Sequence, residues 1–131
     1  MRPFLDALSY HILIVENEPG LHEAIRAALE RDGFHVTFAS RKAPAIKLLS
    51  SLMIDLVVVD IGLPDGLGTD VARHAASLGI PSILMTGHPQ HMTDLDLRGV
   101  SYVAKPFRPE QLRQEMRDRL IKAGPVGRGA Q

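Results

Sequence analysis

Short, unbroken apolar runs alternate along this chain with stretches in which apolar residues recur every three or four positions, a pattern that predicts strands and amphipathic helices in turn. Ile12-Leu13-Ile14-Val15 reads as a strand hidden on both faces, because it carries no polar alternation. Pro19-Gly20 then leads into a helix with Leu21, Ala24, Ile25, Ala28 and Leu29 along one stripe and Gly33 at its close. A shorter strand over 35–39 precedes a helix around 44–52, in which Ala45, Ile46, Leu49 and Leu52 face inward and Pro44 sits in the first turn. Leu56 to Asp60 is the third strand, and the next helix starts near Gly68-Thr69 with Val71, Ala72 and Ala75 as its small apolar face. Ser82 to Met85 is the fourth strand, ended by Thr86-Gly87, and Val100 to Ala104 is the fifth. Pro109 opens a last helix with Leu112, Met116 and Leu120 at four-residue spacing. Residues 88–99 fit a helical pattern poorly, since Pro89, Thr93, Asp94 and Asp96 interrupt a sparse Met92, Leu95 and Leu97, so the fourth helix is expected to be irregular or shortened. The rhythm predicts an α/β domain built on a mainly parallel sheet. Its expected bounds are 11–123, with an N-terminal extension over 1–10 and a flexible tail over 124–131.

Length and composition narrow the picture. At 131 residues the chain suffices for one domain with a substantial core. Lys plus Arg balance Asp plus Glu at 15 each, so no global field draws it toward nucleic acid or anionic lipid. The basic residues around the last helix, Arg108, Arg113, Arg117, Arg119 and Lys122, are interleaved with Glu110, Glu115 and Asp118 and read as a solvated face. With no cysteine, disulfides, thiolate metal sites and a cysteine nucleophile are excluded. The first eight residues lack a secretory apolar core and no stretch reaches membrane-spanning length, so a soluble, cytoplasmic protein is expected.

In open α/β sheets the ligand crevice lies beyond the carboxyl ends of the strands. Glu16 and Asn17 follow the first strand, Asp60 ends the third, Thr86 ends the fourth, and Lys105 follows the fifth. Asp60 places a carboxylate where a buried strand opens into the turn Ile61-Gly62-Leu63-Pro64-Asp65-Gly66, a position for chemistry or for a turn cap. In this order the segments Ile12 to Pro19, Val58 to Gly66, Ile80 to Gly87 and Tyr102-Val103-Ala104-Lys105-Pro106-Phe107 resemble the receiver domain of bacterial two-component response regulators. The likeness spans about residues 11 to 123, and the ordered combination is far more specific than any one segment.

The resemblance implies a flavodoxin-like, doubly wound, five-stranded parallel sheet of order 2-1-3-4-5. It implies that Asp60 is the phosphoacceptor, taking a phosphoryl group from a phosphohistidine to give an aspartyl phosphate. It implies Mg²⁺ held by Glu16, Asn17, Asp60 and the backbone carbonyl of Gly62. The chain departs from the family at Asn17, where the usual second acidic residue is neutral, so weaker metal affinity is expected. Thr86 and Lys105 would bind the phosphoryl group, the Lys105-Pro106 peptide would be cis, and Tyr102 would be the switch aromatic or simply a half-buried strand tyrosine. His88, two residues after Thr86, is a candidate modulator of phosphate lifetime. His88 and His91 have helix-compatible spacing, but without a third convergent ligand they read as surface histidines rather than a metal pair.

The function expected on these grounds is that of a single-domain response regulator. It would be phosphorylated by a sensor histidine kinase or histidine phosphotransfer protein, and would signal by binding an unidentified protein or by relaying phosphate. No nucleic acid, membrane partner or enzymatic turnover is expected. A receiver-shaped interaction module that works without phosphate is the alternative, motivated by Asn17 and the irregular fourth helix, with the retention of Asp60, Thr86 and Lys105 arguing against it. A phosphohydrolase of the haloacid dehalogenase type is a third, disfavoured because the acid/base aspartate two residues after the nucleophile is here Gly62.

Overall fold

Residues 10–123 are described by a computed structural model. The tail over 124–131 and the extension apart from Tyr10 lie outside the described residues. The elements are β1 (His11–Val15), α1 (Pro19–Arg31), β2 (His35–Ala39), α2 (Lys42–Ser51), β3 (Leu56–Asp60), β4 (Gly62–Leu63), β5 (Gly66–Leu67), α3 (Gly68–Ser77), β6 (Ser82–Thr86), α4 (Pro89–Arg98), β7 (Tyr102–Ala104) and α5 (Pro109–Ala123). Five strands form one parallel sheet in the order β2-β1-β3-β6-β7, while β4 and β5 pair as a separate antiparallel hairpin. Counting the sheet strands alone, this is the expected order 2-1-3-4-5.

The unbroken apolar strands are explained by burial on both faces. Leu13, Val15, Val57, Val59 and Leu84 pack with α2 and α3, while Ile12, Ile14, Leu56, Val58, Ile83 and Met85 pack with α1 and α5. Tyr10 joins the second cluster, and its carbonyl accepts the His35 N–H at 3.1 Å. The register sets the ends: Val15 lies opposite Val59, Asp60 opposite Met85, and Thr86 opposite Ala104. Glu16, Asp60, Thr86 and Lys105 therefore emerge at one edge.

The fourth helix differs from expectation. α4 is a continuous α-helix of ten residues, as long as α2 and α3. The residues that interrupt its apolar pattern are the ones that stabilise it from outside. Pro89 lies in the first turn, where its missing N–H costs nothing. The Thr93 hydroxyl bonds the Pro89 carbonyl at 3.2 Å, Asp94 pairs with Arg98 at 3.2 Å, and Gly99 closes the helix at φ 66°. Leu95 is its buried anchor, whereas Leu97 is 83% exposed. Two edges also shift: Leu52 caps α2 and is exposed, and Val100 bonds back to Leu95, which leaves β7 to start at Tyr102.

Candidate functional site

Lys105 gathers the site. Its Nζ donates to Asp60 Oδ2 at 2.9 Å and to Glu16 Oε1 at 2.8 Å, and lies 3.8 Å from the exposed Glu18. Asp60 keeps 15% of its side chain exposed, and its other oxygen, Oδ1, accepts the Gly62 N–H at 3.3 Å. The Glu16 side chain is fully buried, and its Oε2 accepts the Glu18 N–H at 3.1 Å. Burial pushes the Glu16 carboxyl above its usual value; the Lys105 hydrogen bond opposes this and the Asp60 charge reinforces it. Burial alone would lower Lys105, but the hydrogen bonds and charges of Glu16 and Asp60 outweigh it and hold its ammonium above the usual lysine value. Asn17 is exposed on the intervening turn, and His22 of α1 binds the Glu16 carbonyl through its ring nitrogen while packing on Phe38 at 4.7 Å.

On the other side of Asp60, Thr86 is 2% exposed and ends β6. Its carbonyl accepts the Lys105 N–H at 2.8 Å, and its Oγ1 accepts the His88 N–H at 3.1 Å. The same oxygen lies 3.1 Å from His91 Nδ1 in the first turn of α4. His88 thus meets Thr86 through its backbone, and its ring stands edge-on to His91 at 5.1 Å. Tyr102 is half-buried; partial desolvation, and then a hydrogen bond to the Asp96 carboxylate of α4, raise its phenol above the usual value. The Lys105–Pro106 peptide is cis.

Two residues of this neighbourhood carry no signal that marks them as site residues. His91 acquires its meaning only once α4 begins at Pro89. Gly68 opens α3 directly behind Asp60: a Cβ there would stand 2.0 Å from the Asp60 carbonyl oxygen, and its N–H already bonds the Ile61 carbonyl at 2.6 Å. Asp65, in the turn between β4 and β5, accepts the N–H groups of Lys42 and Ala43 at 2.6 and 3.0 Å and so caps α2. Those backbone hydrogen bonds hold its carboxyl below the usual range.

The donors Glu16, Asn17, Asp60 and the Gly62 carbonyl fit Mg²⁺ in kind, being hard oxygens. Among the described residues, however, no group of three or more His, Cys, Asp or Glu side chains is arranged to hold a metal.

A family model, the response regulator receiver domain, matches residues 12–117. The chain belongs to that family. Among curated relatives, the DNA-binding response regulator MtrA of Mycolicibacterium smegmatis is 31% identical over 120 residues, covering 88% of this chain and 53% of that protein. The receiver's solved neighbours include a response regulator receiver protein from Sinorhizobium medicae, at TM-score 0.79 and 27% identity over 88% of this chain and 98% of that one. The receiver domain of sensor histidine kinase PA1611 from Pseudomonas aeruginosa, solved with magnesium coordinated in its active site cleft, shares the fold at TM-score 0.75 and 24% identity, covering 86% of this chain and 98% of that one.

The expectation that nucleic acid plays no part is corrected by these relatives, since MtrA is itself a DNA-binding response regulator. The chain spans about half the length of the curated relatives it matches, so its balanced charge speaks only for that half. Among the described residues no helix is long and apolar enough to cross a membrane.

Proposed function

We propose that this receiver, residues 11–123, takes a phosphoryl group onto Asp60 from a phosphohistidine of a cytoplasmic sensor kinase or phosphotransfer protein. One observation carries the reading: a single ammonium, Lys105 Nζ, sits 2.8 and 2.9 Å from two carboxylates at the carboxyl edge of a parallel sheet. Lys105 occupies Asp60 Oδ2, so Oδ1 is the freer nucleophile. It forms the new O–P bond while the P–N bond breaks and its electron pair returns to the donor imidazole. Lys105 then neutralises a phosphoryl oxygen, and Thr86 donates its hydroxyl to another. When bound, Mg²⁺ would be held by Glu16, Asp60, the Asn17 amide oxygen and the Gly62 carbonyl, and would supply charge compensation for the incoming anion.

The receiver family is a signalling module, and here Gly62 stands two residues beyond the acceptor, offering no side chain to activate water for turnover. The phosphorylated chain passes its signal by docking another protein or by relaying the phosphoryl group. Exposure of the full chain to a small acyl phosphate with Mg²⁺, followed by intact-mass analysis, tests the assignment. A labile phosphate adduct is expected on the wild type and none on Asp60→Asn. An adduct that persists in Asp60→Asn, or failure of wild type to accept phosphate from both acyl phosphate and a cognate kinase, would refute it.

A further inference from the structure

We propose that His91 is a positioning residue that withholds the Thr86 hydroxyl hydrogen from the phosphoryl site and releases it when the imidazole is protonated, an inference that rests on the assignment of Asp60 as acceptor. A threonine hydroxyl has one hydrogen to donate and two lone pairs to accept with. The His88 N–H takes one lone pair at 3.1 Å. Thr86 is almost wholly buried, so its hydrogen needs an acceptor, and His91 Nδ1 stands 3.1 Å away. With the ring neutral and its proton on Nε2, the Thr86 O–H points at Nδ1 and is consumed. With a proton on Nδ1, the ring donates instead to the second lone pair, and the O–H is free to turn toward an oxygen of the aspartyl phosphate.

The groups facing His91 leave this exchange open to solvent protons. The ring lines a cleft of about 320 Å³ between α3 and α4, together with Thr69 and Arg73 from α3 and Asp94 and Arg98 from its own helix. Arg73 pairs with Asp70 at 2.9 Å and Arg98 with Asp94 at 3.2 Å, and the His88 ring stands edge-on to His91 at 5.1 Å. Across Thr86, Lys105 is committed to Glu16 and Asp60. His91 lies in the first turn of α4, so the bond also ties that turn to the end of β6, and donation of the hydroxyl to phosphate unties it. The state of the latch is therefore set by whether Nδ1 carries a proton.

The test compares adduct formation by wild type, His91→Asn and His91→Leu between about pH 8 and about pH 6. His91→Leu removes the acceptor, and its rate at pH 8 is expected to exceed wild type by roughly three- to tenfold, the worth of one hydrogen bond. His91→Asn keeps an acceptor oxygen that does not titrate, so it is expected to stay slow at both pH values. Wild type is expected to pass from the Asn-like to the Leu-like rate on acidification. Equal rates for the three proteins at each pH would overturn the latch while leaving Asp60 as acceptor. A second arm needs no phosphate: nitrogen NMR of the neutral protein should find His91 Nδ1 unprotonated and its resonance moved by Thr86→Val. A proton on Nδ1, or no response to Thr86→Val, overturns the proposal even if wild type takes up no phosphate at all.

Discussion

Adding one methyl group at Gly68 should damage both stability and the proposed acceptor site at Asp60, whereas the same change at Gly20 should not. A Cβ at Gly68 would meet the Asp60 carbonyl oxygen at 2.0 Å, its carbon at 2.8 Å and Ile61 Cα at 3.0 Å. All three are backbone atoms, so no side chain can swing aside. An ordinary carbon–oxygen approach is about 3.3 Å, which leaves roughly 1.3 Å to be found by moving either α3 or the end of β3. α3 is anchored by the fully buried Val71 and Ala75, and β3 is central in the sheet, so neither retreats freely. Overpacking of this kind costs about 1–3 kcal/mol, and loss of the Gly68 N–H bond to Ile61 about 1 more, against which alanine's better helix propensity returns at most about 1. A net loss of about 2 kcal/mol corresponds to a fall in Tm of roughly 6–10 °C for a chain of this size. A displacement of Asp60 near 1 Å should also slow phosphoryl transfer by about a hundredfold. Gly20, in the first turn of α1, has nothing within 4 Å of its Cβ position, and Gly20→Ala should gain up to about 1 kcal/mol. Thermal melts and adduct-formation rates of both variants decide the matter. A Gly68→Ala protein that melts and phosphorylates like wild type would show that α3 does not press on Asp60.

Three further outcomes follow from the charges. Lys105→Met leaves the buried Glu16 and its neighbour Asp60 without their shared cation, at a cost of roughly 2–3 kcal/mol, below that of a fully buried pair because Asp60 and Lys105 keep some solvent contact. The upward-shifted Glu16 takes up a proton on acidification, so the deficit measured by denaturant titration should shrink from pH 8 to pH 5; a pH-independent deficit would refute the pairing. His11, lowered by burial and then by His35 against the opposing pull of Asp55, binds its proton more weakly folded than unfolded, so stability should fall as pH drops below about 6.5. Melting temperatures of His11→Gln should be flatter with pH than those of wild type, and parallel curves would contradict this. Asn17→Asp adds a formal negative charge to the oxygen donors and should tighten Mg²⁺ binding by roughly tenfold in a metal titration, an idea that equal affinities would end.

What the sequence made legible follows from burial. Leu56 to Val59 reads as a central strand because both faces are covered, and of the residues just beyond the strands, Glu16, Asp60 and Lys105 meet at hydrogen-bond distance while Asn17 stays exposed. α4 was harder to read because it buries little: Leu95 is its one fully buried apolar residue, and the polar residues that obscure its period serve as cap and ion pair. His91 and Gly68 were invisible as site residues for different reasons. The first depends on where a helix begins, and the second on how closely that helix approaches a backbone carbonyl. Asp65 was visible only as part of a turn, since its partners Lys42 and Ala43 lie more than twenty positions away, at 2.6 and 3.0 Å from its carboxylate.

The upward shift of Glu16 gives the departure at Asn17 a physical sense. Burying a carboxylate at a strand end is unfavourable even with a lysine beside it, and here one ammonium serves two carboxylates. A further carboxylate at position 17, beside Glu16, Asp60 and the exposed Glu18, would leave the metal-free site more negative and would raise the cost of keeping Glu16 ionised. A neutral amide relaxes that repulsion but gives up attraction for a divalent cation. The two effects have opposite dependence on metal: without Mg²⁺, Asn17→Asp should lower stability, and with Mg²⁺ saturating the site the loss should be recovered through binding to the folded state alone. A variant destabilised equally with and without the cation would mean that position 17 is too exposed to feel the charges around Lys105.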